Sequence, residues 1–497
     1  VSTTLILVGV AIYIVASVVV AYMSRSGTAA TMSDYFIGGR SMGGLVSALS
    51  YSATTYSAFM MVGLAGLTYK GGVGALGFEI VYFAGVSLVA IFGPRFWAVG
   101  RKYGFVTPSE MLGARYGSRW VAMAAAVASC IFLIPYSAVQ LAGVGYLLSG
   151  MSDGAISFGA GIIVATILAI AFSYIAGIRS VMWTDSLQAL VMIVASVAVV
   201  GYVVAELGGF TALFDAVAER NPAMLTVPGP GLFSFTTFLG LTIPWFFFAI
   251  SNPQVSQRLF MPASLGALRR MLMIFLAFGF VYTLVSVLWG FSAFVAFPDL
   301  ANPDLATSTL LASDFVPPVL GVVVMVGILA AAVSTIDSIL LTLSSMVARD
   351  VYANVATRTD DRKQLMIGKV IIPIISLIAL GFAAMQFSLI AVLAVAASTG
   401  LVVVVPAIVG AFFWKRGTAA GALASIVGGG IFVVVMYLTG NSILGLNAGI
   451  LGFPVSAAMF VVVSLATRSR TDLAEDFIAT ADASLRTPGL AARPAAA

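Results

Sequence analysis

The sequence predicts an all-α membrane protein of thirteen transmembrane helices, N-terminus outside and C-terminus inside. Three observations predict it. Of 497 residues, 61% are hydrophobic and only 9% charged, with a mean hydropathy of +1.10; soluble domains carry about 25% charge, so the solvent here must be lipid. The apolar residues gather into thirteen segments, at 4–23, 44–69, 73–99, 119–149, 156–176, 181–205, 232–261, 267–297, 309–348, 366–387, 389–414, 418–439 and 447–467. Each is about as long as a crossing requires or longer, and the longer ones must tilt or extend beyond the bilayer. With the N-terminus outside, all of the 24 basic residues except Lys70 and Arg220 fall on the inner side, among them Arg25, Arg101, Arg115, Arg258, Arg349, Arg358 and Arg493. Positive charge is retained on the cytoplasmic side, so this asymmetry sets the orientation.

Segment 1, from Thr4 to Met23, is too long for a typical signal-peptide core and lacks a basic leader, so it reads as a retained helix. Residues 1–467 form one transmembrane domain; residues 468–497 form a polar, Ala/Pro-rich cytoplasmic tail expected to be partly disordered. Histidine is absent, which argues against histidine-dependent hydrolysis, haem ligation and most zinc chemistry. The lone Cys130 lies in an apolar run and reads as a small core residue. No nucleophile–base pair is recognisable, so the chain is not expected to be an enzyme.

Three carboxylates stand inside apolar segments: Glu79 in segment 3, Asp185 in segment 6 and Asp337 in segment 9. An ionisable group at membrane depth costs at least ~2.5–3.5 kcal/mol, so it usually meets a cavity, a partner or an ion. Arg179 is near Asp185 in sequence, which allows an interfacial pair. Without an arginine ladder on any one helix, a voltage sensor is disfavoured.

Segments 2 and 7 are built to break. Segment 2 carries Ser50, Tyr51, Ser52, Thr54, Thr55, Tyr56 and Ser57, then Gly63, Gly66 and Gly71. Segment 7 carries Asn252-Pro253, where proline removes a backbone donor and pushes the preceding residue out of the α region. Carbonyls and half-helix ends freed at such breaks can hold ions and solutes. The two segments are five apart, an odd separation, so a five-helix unit and its successor would have inverted topology.

Segment 9 presents oxygens. Ala331, Ser334, Thr335 and Ser338 lie at i, i+3, i+4 and i+7, on one helical face, with Asp337 at its flank. Hard cations prefer such ligands, although Ser and Thr also bond back to their own helix.

With these residues in view, a resemblance emerges. Asp34-Tyr35-Phe36-Ile37-Gly38-Gly39-Arg40-Ser41-Met42-Gly43, Thr107 to Gly117 with its Arg115-Tyr116-Gly117, and Trp183-Thr184-Asp185-Ser186-Leu187-Gln188 resemble signatures of the solute–sodium symporter family, bacterial type. Gln257-Arg258 after the break and Ser334-Thr335 in segment 9 are similar to the family as well. The resemblance implies a LeuT-type fold of two inverted five-helix repeats, segments 2–6 and 7–11, and sodium-driven symport by alternating access. It implies Na+ as coupling ion, held by Ala53, Tyr56, Ala331, Ser334 and Thr335. Some members hold a second cation with the acid of the Trp-Thr-Asp segment; here that would be Asp185 with Asp337 and Ser338. Proton coupling is the rival reading of that carboxyl pair.

The solute is expected between the breaks, near Ser57, Phe59, Met60, Glu79, Asn252 and Gln254. Proline-type members carry an acid where this chain has Thr55 and a tryptophan where it has Phe59; few polar side chains and no segment 8 lysine disfavour a sugar. The Ser334-Thr335-Ile336-Asp337-Ser338 form is similar to carriers of monocarboxylates or pantothenate, with proline-like amino acid transport as the alternative. An anionic solute could use half-helix N-termini in place of a basic residue. A channel would need a repeated filter, and a transporter-like receptor a signalling domain that the short tail does not supply. The expected partners are the solute and membrane lipid, not nucleic acid. An accessory membrane subunit is compatible with this reading, as is a monomer or weak oligomer. The expected location is the inner (plasma) membrane.

Overall fold

The computed structural model describes residues 1–24, 31–356, 359–386 and 389–486. Arg25, Arg358 and Arg493, counted above on the inner side, lie outside the described residues, as do 487–497 of the tail. The described chain is helical, with β-structure limited to isolated bridges such as Met42 to Pro262.

Among the described residues, ten helices are long and apolar enough to cross a membrane, from Thr3–Met23 to Ala448–Ala466, and Phe158–Tyr174 and Phe235–Phe246 are shorter apolar helices. Segments 5 and 6 run as one path, Phe158–Glu206, broken at Gly177 (φ 59°, ψ 176°). Burial separates centre from periphery. In the most apolar window of Pro318–Val355, 78% of residues are buried, against 33% for Thr3–Met23. Ile390–Phe413 of segment 11 is equally buried, so segments 9 and 11 form the centre on which the others pack.

Both expected breaks are present. Segment 2 forms Gly44–Thr55, leaves helical geometry at Tyr56 (φ −92°, ψ 71°), resumes as a wide-turned stretch Phe59–Leu64 and ends as Ala65–Gly71. The Tyr56 ring fills the space above Gly279, where a Cβ would stand 1.8 Å from its hydroxyl, so segment 8 needs glycine there. Segment 7 breaks twice: Phe235–Phe246 gives way at Phe247, and Phe248–Ser251 ends at Asn252 (φ −84°, ψ 112°) before Pro253–Ser256. The second break is where Pro253 demands it. Gly85 of segment 3 fits against the first, since a Cβ there would lie 2.0 Å from the Phe246 carbonyl oxygen.

One end of the bundle gathers basic residues around the tail. Thr471–Arg486 is a helix whose Ala474, Phe477 and Ala481 are buried. Phe477 stacks on Tyr103 and packs on Phe412, at ring separations of 6.0 and 5.4 Å. Lys102 pairs with Asp476 (2.9 Å), Lys415 with Glu475 (3.1 Å) and Arg95 with Asp482 (3.4 Å). Polar composition hid this helix, whose apolar residues recur at i, i+3 and i+7, enough for one docked face. Arg115 was counted as a loop charge, yet it is buried and donates to the carbonyls of Ala411 and Trp414 at 3.0 Å each.

At the other end, the loop after segment 8 tucks the Asp304 carboxylate inward. Its Oδ2 accepts the Ile390 N–H at the start of segment 11 (3.0 Å), and Gly66 of segment 2 leaves it room.

Candidate functional site

The segment 2 break meets segment 9 through Thr335. A helix leaves its last four carbonyls without intrahelical donors, and at this break they include those of Ala53, Thr54 and Thr55. The Thr335 Oγ1 lies 3.2 Å from the Ala53 carbonyl, 3.3 Å from that of Thr54 and 3.0 Å from that of Ala331. Ala53, Ala331 and Thr335 are thereby brought together, with Tyr56 at the break itself. These are neutral oxygens, the donor chemistry an alkali cation prefers.

Ser334 does not join that set. Its hydroxyl donates to Asp185 Oδ1 at 2.5 Å. The single oxygen face of segment 9 therefore divides into two adjacent stripes of i, i+4 residues. Ala331 and Thr335 turn to the segment 2 carbonyls, while Ser334 and Ser338 turn to Asp185 and its surroundings.

Those surroundings contain an arginine that sequence reasoning placed in a loop. Arg258, just past the second segment 7 break, is buried, and its Nη2 lies 3.2 Å from Asp185 Oδ2. Nη1 donates to Ser50 Oγ (2.5 Å), and Nη2 also donates to Ser338 Oγ. Ser50 Oγ in turn donates to Asp185 Oδ2 at 2.6 Å. The partner of Asp185 is thus Arg258 and not Arg179. Asp337 is bonded elsewhere: its Oδ1 accepts from Ser173 of segment 5 at 3.1 Å. The stripe continues inward, where Gln257 accepts from Thr342 (2.7 Å) and donates to Ser345 (3.1 Å).

Two of the expected solute residues, Phe59 and Glu79, meet in a different, aromatic region. Trp245 Nε1 donates to Glu79 Oε2 at 3.3 Å, and its ring lies 4.8 Å from that of Phe59 and 4.8 Å from that of Phe248. Phe59, Met60 and Glu79 are all buried. Ser57 Oγ accepts the Phe59 N–H at 3.2 Å, and Asn252 Oδ1 accepts from Ser251 at 3.1 Å. Gln254 lies past the second break with its amide buried and unpartnered.

Unpartnered buried polar atoms recur here: the hydroxyls of Thr55, Tyr56, Tyr82 and Tyr136, the Asn252 Nδ2 and both ends of the Gln140 amide. Buried polar groups are nearly always satisfied, so such a group of orphans marks a place for water or solute. Trp245, Tyr82, Tyr136 and Gln140 were not singled out from the sequence. Trp245 sits beside Pro244, and Gln140 is a polar residue in an otherwise apolar segment 4; both signals were available. Outside the membrane-spanning segments, burial raises the Asp304 carboxyl to about 6, partly opposed by the backbone N–H groups of Ile390 and Leu389.

The described family model "Sodium:solute symporter family" matches residues 35–429. The Escherichia coli (strain K12) sodium/pantothenate symporter is 27% identical over 452 residues, covering 88% of this chain and 92% of that protein. The Haemophilus influenzae sodium/proline symporter is 27% identical over 420 residues, covering 81% and 82%. The structure of a Na+-coupled sialic acid symporter in a substrate-bound outward-open state superposes with a TM-score of 0.80 at 20% identity, over 94% of this chain and 98% of that one. At that identity the likeness shows the fold.

Proposed function

This chain belongs to the sodium:solute symporter family, and we propose that it imports a small organic carboxylate, of the monocarboxylate or pantothenate kind, with sodium as the coupling ion. It is a multi-pass membrane transporter of LeuT-type fold and not an enzyme. In this reading thirteen spans run N-out to C-in, segments 2–6 and 7–11 form inverted repeats, and the protein lies in the plasma membrane.

The observation that carries the reading is the junction of the Ala53 and Thr54 carbonyls with Thr335 and Ala331. The sodium would be held there by Ala53, Tyr56, Ala331 and Thr335. Neutral ligands bind an alkali ion without the charge that would trap it, and the ion is cargo that must be released. Segment 2 is broken at this point, so a solute lodged beside the break and an ion on its carbonyls would stabilise the same backbone conformation. That is a coupling free energy between two sites.

A second reading, an amino acid as solute, has a specific observation in its favour. Glu79 lies with Phe59 and Trp245 in the expected solute region, and a buried carboxylate there would suit an ammonium group. The test is uptake into proteoliposomes under an inward sodium gradient, competed by pantothenate, short monocarboxylates, proline and other amino acids. Competition by acids lacking an amine supports the first reading, competition by amino acids alone the second. Equal uptake in potassium at matched pH would remove sodium coupling.

A further inference from the structure

We propose that the Arg258 guanidinium is the resident cation of the Asp185 cluster, standing where a second sodium ion would bind, so that one sodium ion accompanies each solute. The proposal rests on the sodium reading above and adds a residue that sets the stoichiometry.

The Asp185 cluster has the donors of a hard-cation site: a carboxylate and the hydroxyls of Ser50, Ser334 and Ser338, contributed by segments 2, 6 and 9. Each is hydrogen-bonded, and the lone pairs of Asp185 Oδ2, Ser50 and Ser338 face the Arg258 guanidinium. Asp185 Oδ1 accepts from Ser334 (2.5 Å); Oδ2 accepts from Ser50 (2.6 Å) and faces Arg258 Nη2 (3.2 Å). Ser50 and Ser338 act as relays. Ser50 accepts from Nη1 and donates to Asp185; Ser338 accepts from Nη2 and donates to the Ser334 carbonyl at 2.9 Å. Ser338 also lies 3.1 Å from Thr54 Oγ1 on segment 2. A guanidinium offers five donors in a planar fork and keeps its charge in proteins. Here it uses that fork on the oxygens a metal ion would need.

Charge supports the same conclusion. Asp185 and Arg258 are both buried and together neutral. An added sodium ion would leave the cluster with a net positive charge in a low-dielectric interior. Asp337 Oδ1 accepts from Ser173 on another segment at 3.1 Å and not from Arg258. Among the described residues the Arg258 Nε has no hydrogen-bond partner, so the guanidinium is held through Nη1 and Nη2.

Sodium itself is the probe. Purified full-length protein is equilibrated with radioactive sodium without solute, and saturable sites per protein are counted. Wild type is expected to hold one site and Arg258→Lys one. Arg258→Gln is expected to hold two, the second lost again in Arg258→Gln/Asp185→Asn. Two sites in wild type, or one in a folded Arg258→Gln, would overturn the proposal. Should the single variant not be purified folded, the neutral double variant decides: one retained site supports the assignment, and loss of all sodium binding overturns it by making Asp185 the sodium ligand. Absence of saturable sodium binding in wild type is a different result, and it defeats the sodium reading itself.

Discussion

Two clusters lie one helical step apart on segment 9, and they handle charge in opposite ways. Around Thr335 the oxygens are neutral and come largely from the backbone, where the end of a helix leaves the Ala53 and Thr54 carbonyls without intrahelical donors. Around Ser334 and Ser338 a carboxylate and a guanidinium neutralise one another inside a closed set of hydrogen bonds. The first arrangement leaves ligands for an exchangeable cation. The second consumes its ligands and ties segments 2, 6, 7 and 9 together. One helix can serve both ends because adjacent positions diverge by about 100° around the axis, so neighbouring hydroxyls face different surroundings.

The sharpest way to break this comparison is Asp185→Asn. It leaves Arg258 buried and uncompensated, a change that typically costs about 3–5 kcal/mol. A large drop in thermal stability in detergent is expected, with most of it regained in Arg258→Gln/Asp185→Asn. Equal stability of the two variants would mean that the pair does not bind the segments together. Next is Ser334→Ala, which removes a hydrogen bond to a charged group and is expected to cost about 1.5–3 kcal/mol of stability with little change in sodium activation. Thr335→Ala should do the reverse: roughly a tenfold rise in half-saturating sodium, equivalent to about 1.4 kcal/mol, with Thr335→Ser near wild type. Sodium activation curves for the two alanine variants check both, and a shift of similar size in each would merge the two clusters into one.

The smallest effect is expected far from both clusters, at Asp304. Its carboxyl is raised to about 6, against about 3.9 in an unfolded chain, so the fold prefers the protonated form. Its contribution to stability is complete below the unfolded value, declines as pH rises between the two, and is lost above about 6. Thermal unfolding at pH 5 and pH 7.5 should show a steeper decline for wild type than for Asp304→Asn. Parallel declines would mean that Asp304 is not the group responsible.

Much of the working region was legible in residue chemistry. Asn252-Pro253 marks the second break of segment 7, and Ala331, Ser334, Thr335 and Ser338 were visible as an i, i+3, i+4, i+7 set. What spacing could not reveal was the division of that set. Ser334 and Thr335 are equivalent as sequence, and they differ only because Asp185 stands on one side and the Ala53 carbonyl on the other. Arg258 was misread for a related reason. A basic residue near the end of an apolar segment normally reaches water, and only a carboxylate 73 positions away in sequence makes its burial tolerable. The tail helix was missed because composition averages away a single apolar face, which needs Tyr103 and Phe412 before it has anything to cover.

By itself, then, the sequence determined that the chain is dissolved in lipid, where its apolar segments lie and where two of them must break. These follow from local quantities: transfer free energy per residue, backbone geometry at Pro253 in segment 7, and the run of hydroxyls and glycines in segment 2. Only the tertiary structure decided which oxygens remain available to an ion and which are taken. That choice depends on segments 2, 6, 7 and 9 meeting at one point, and a buried charge is stable only beside a partner that the fold, not the neighbouring sequence, supplies.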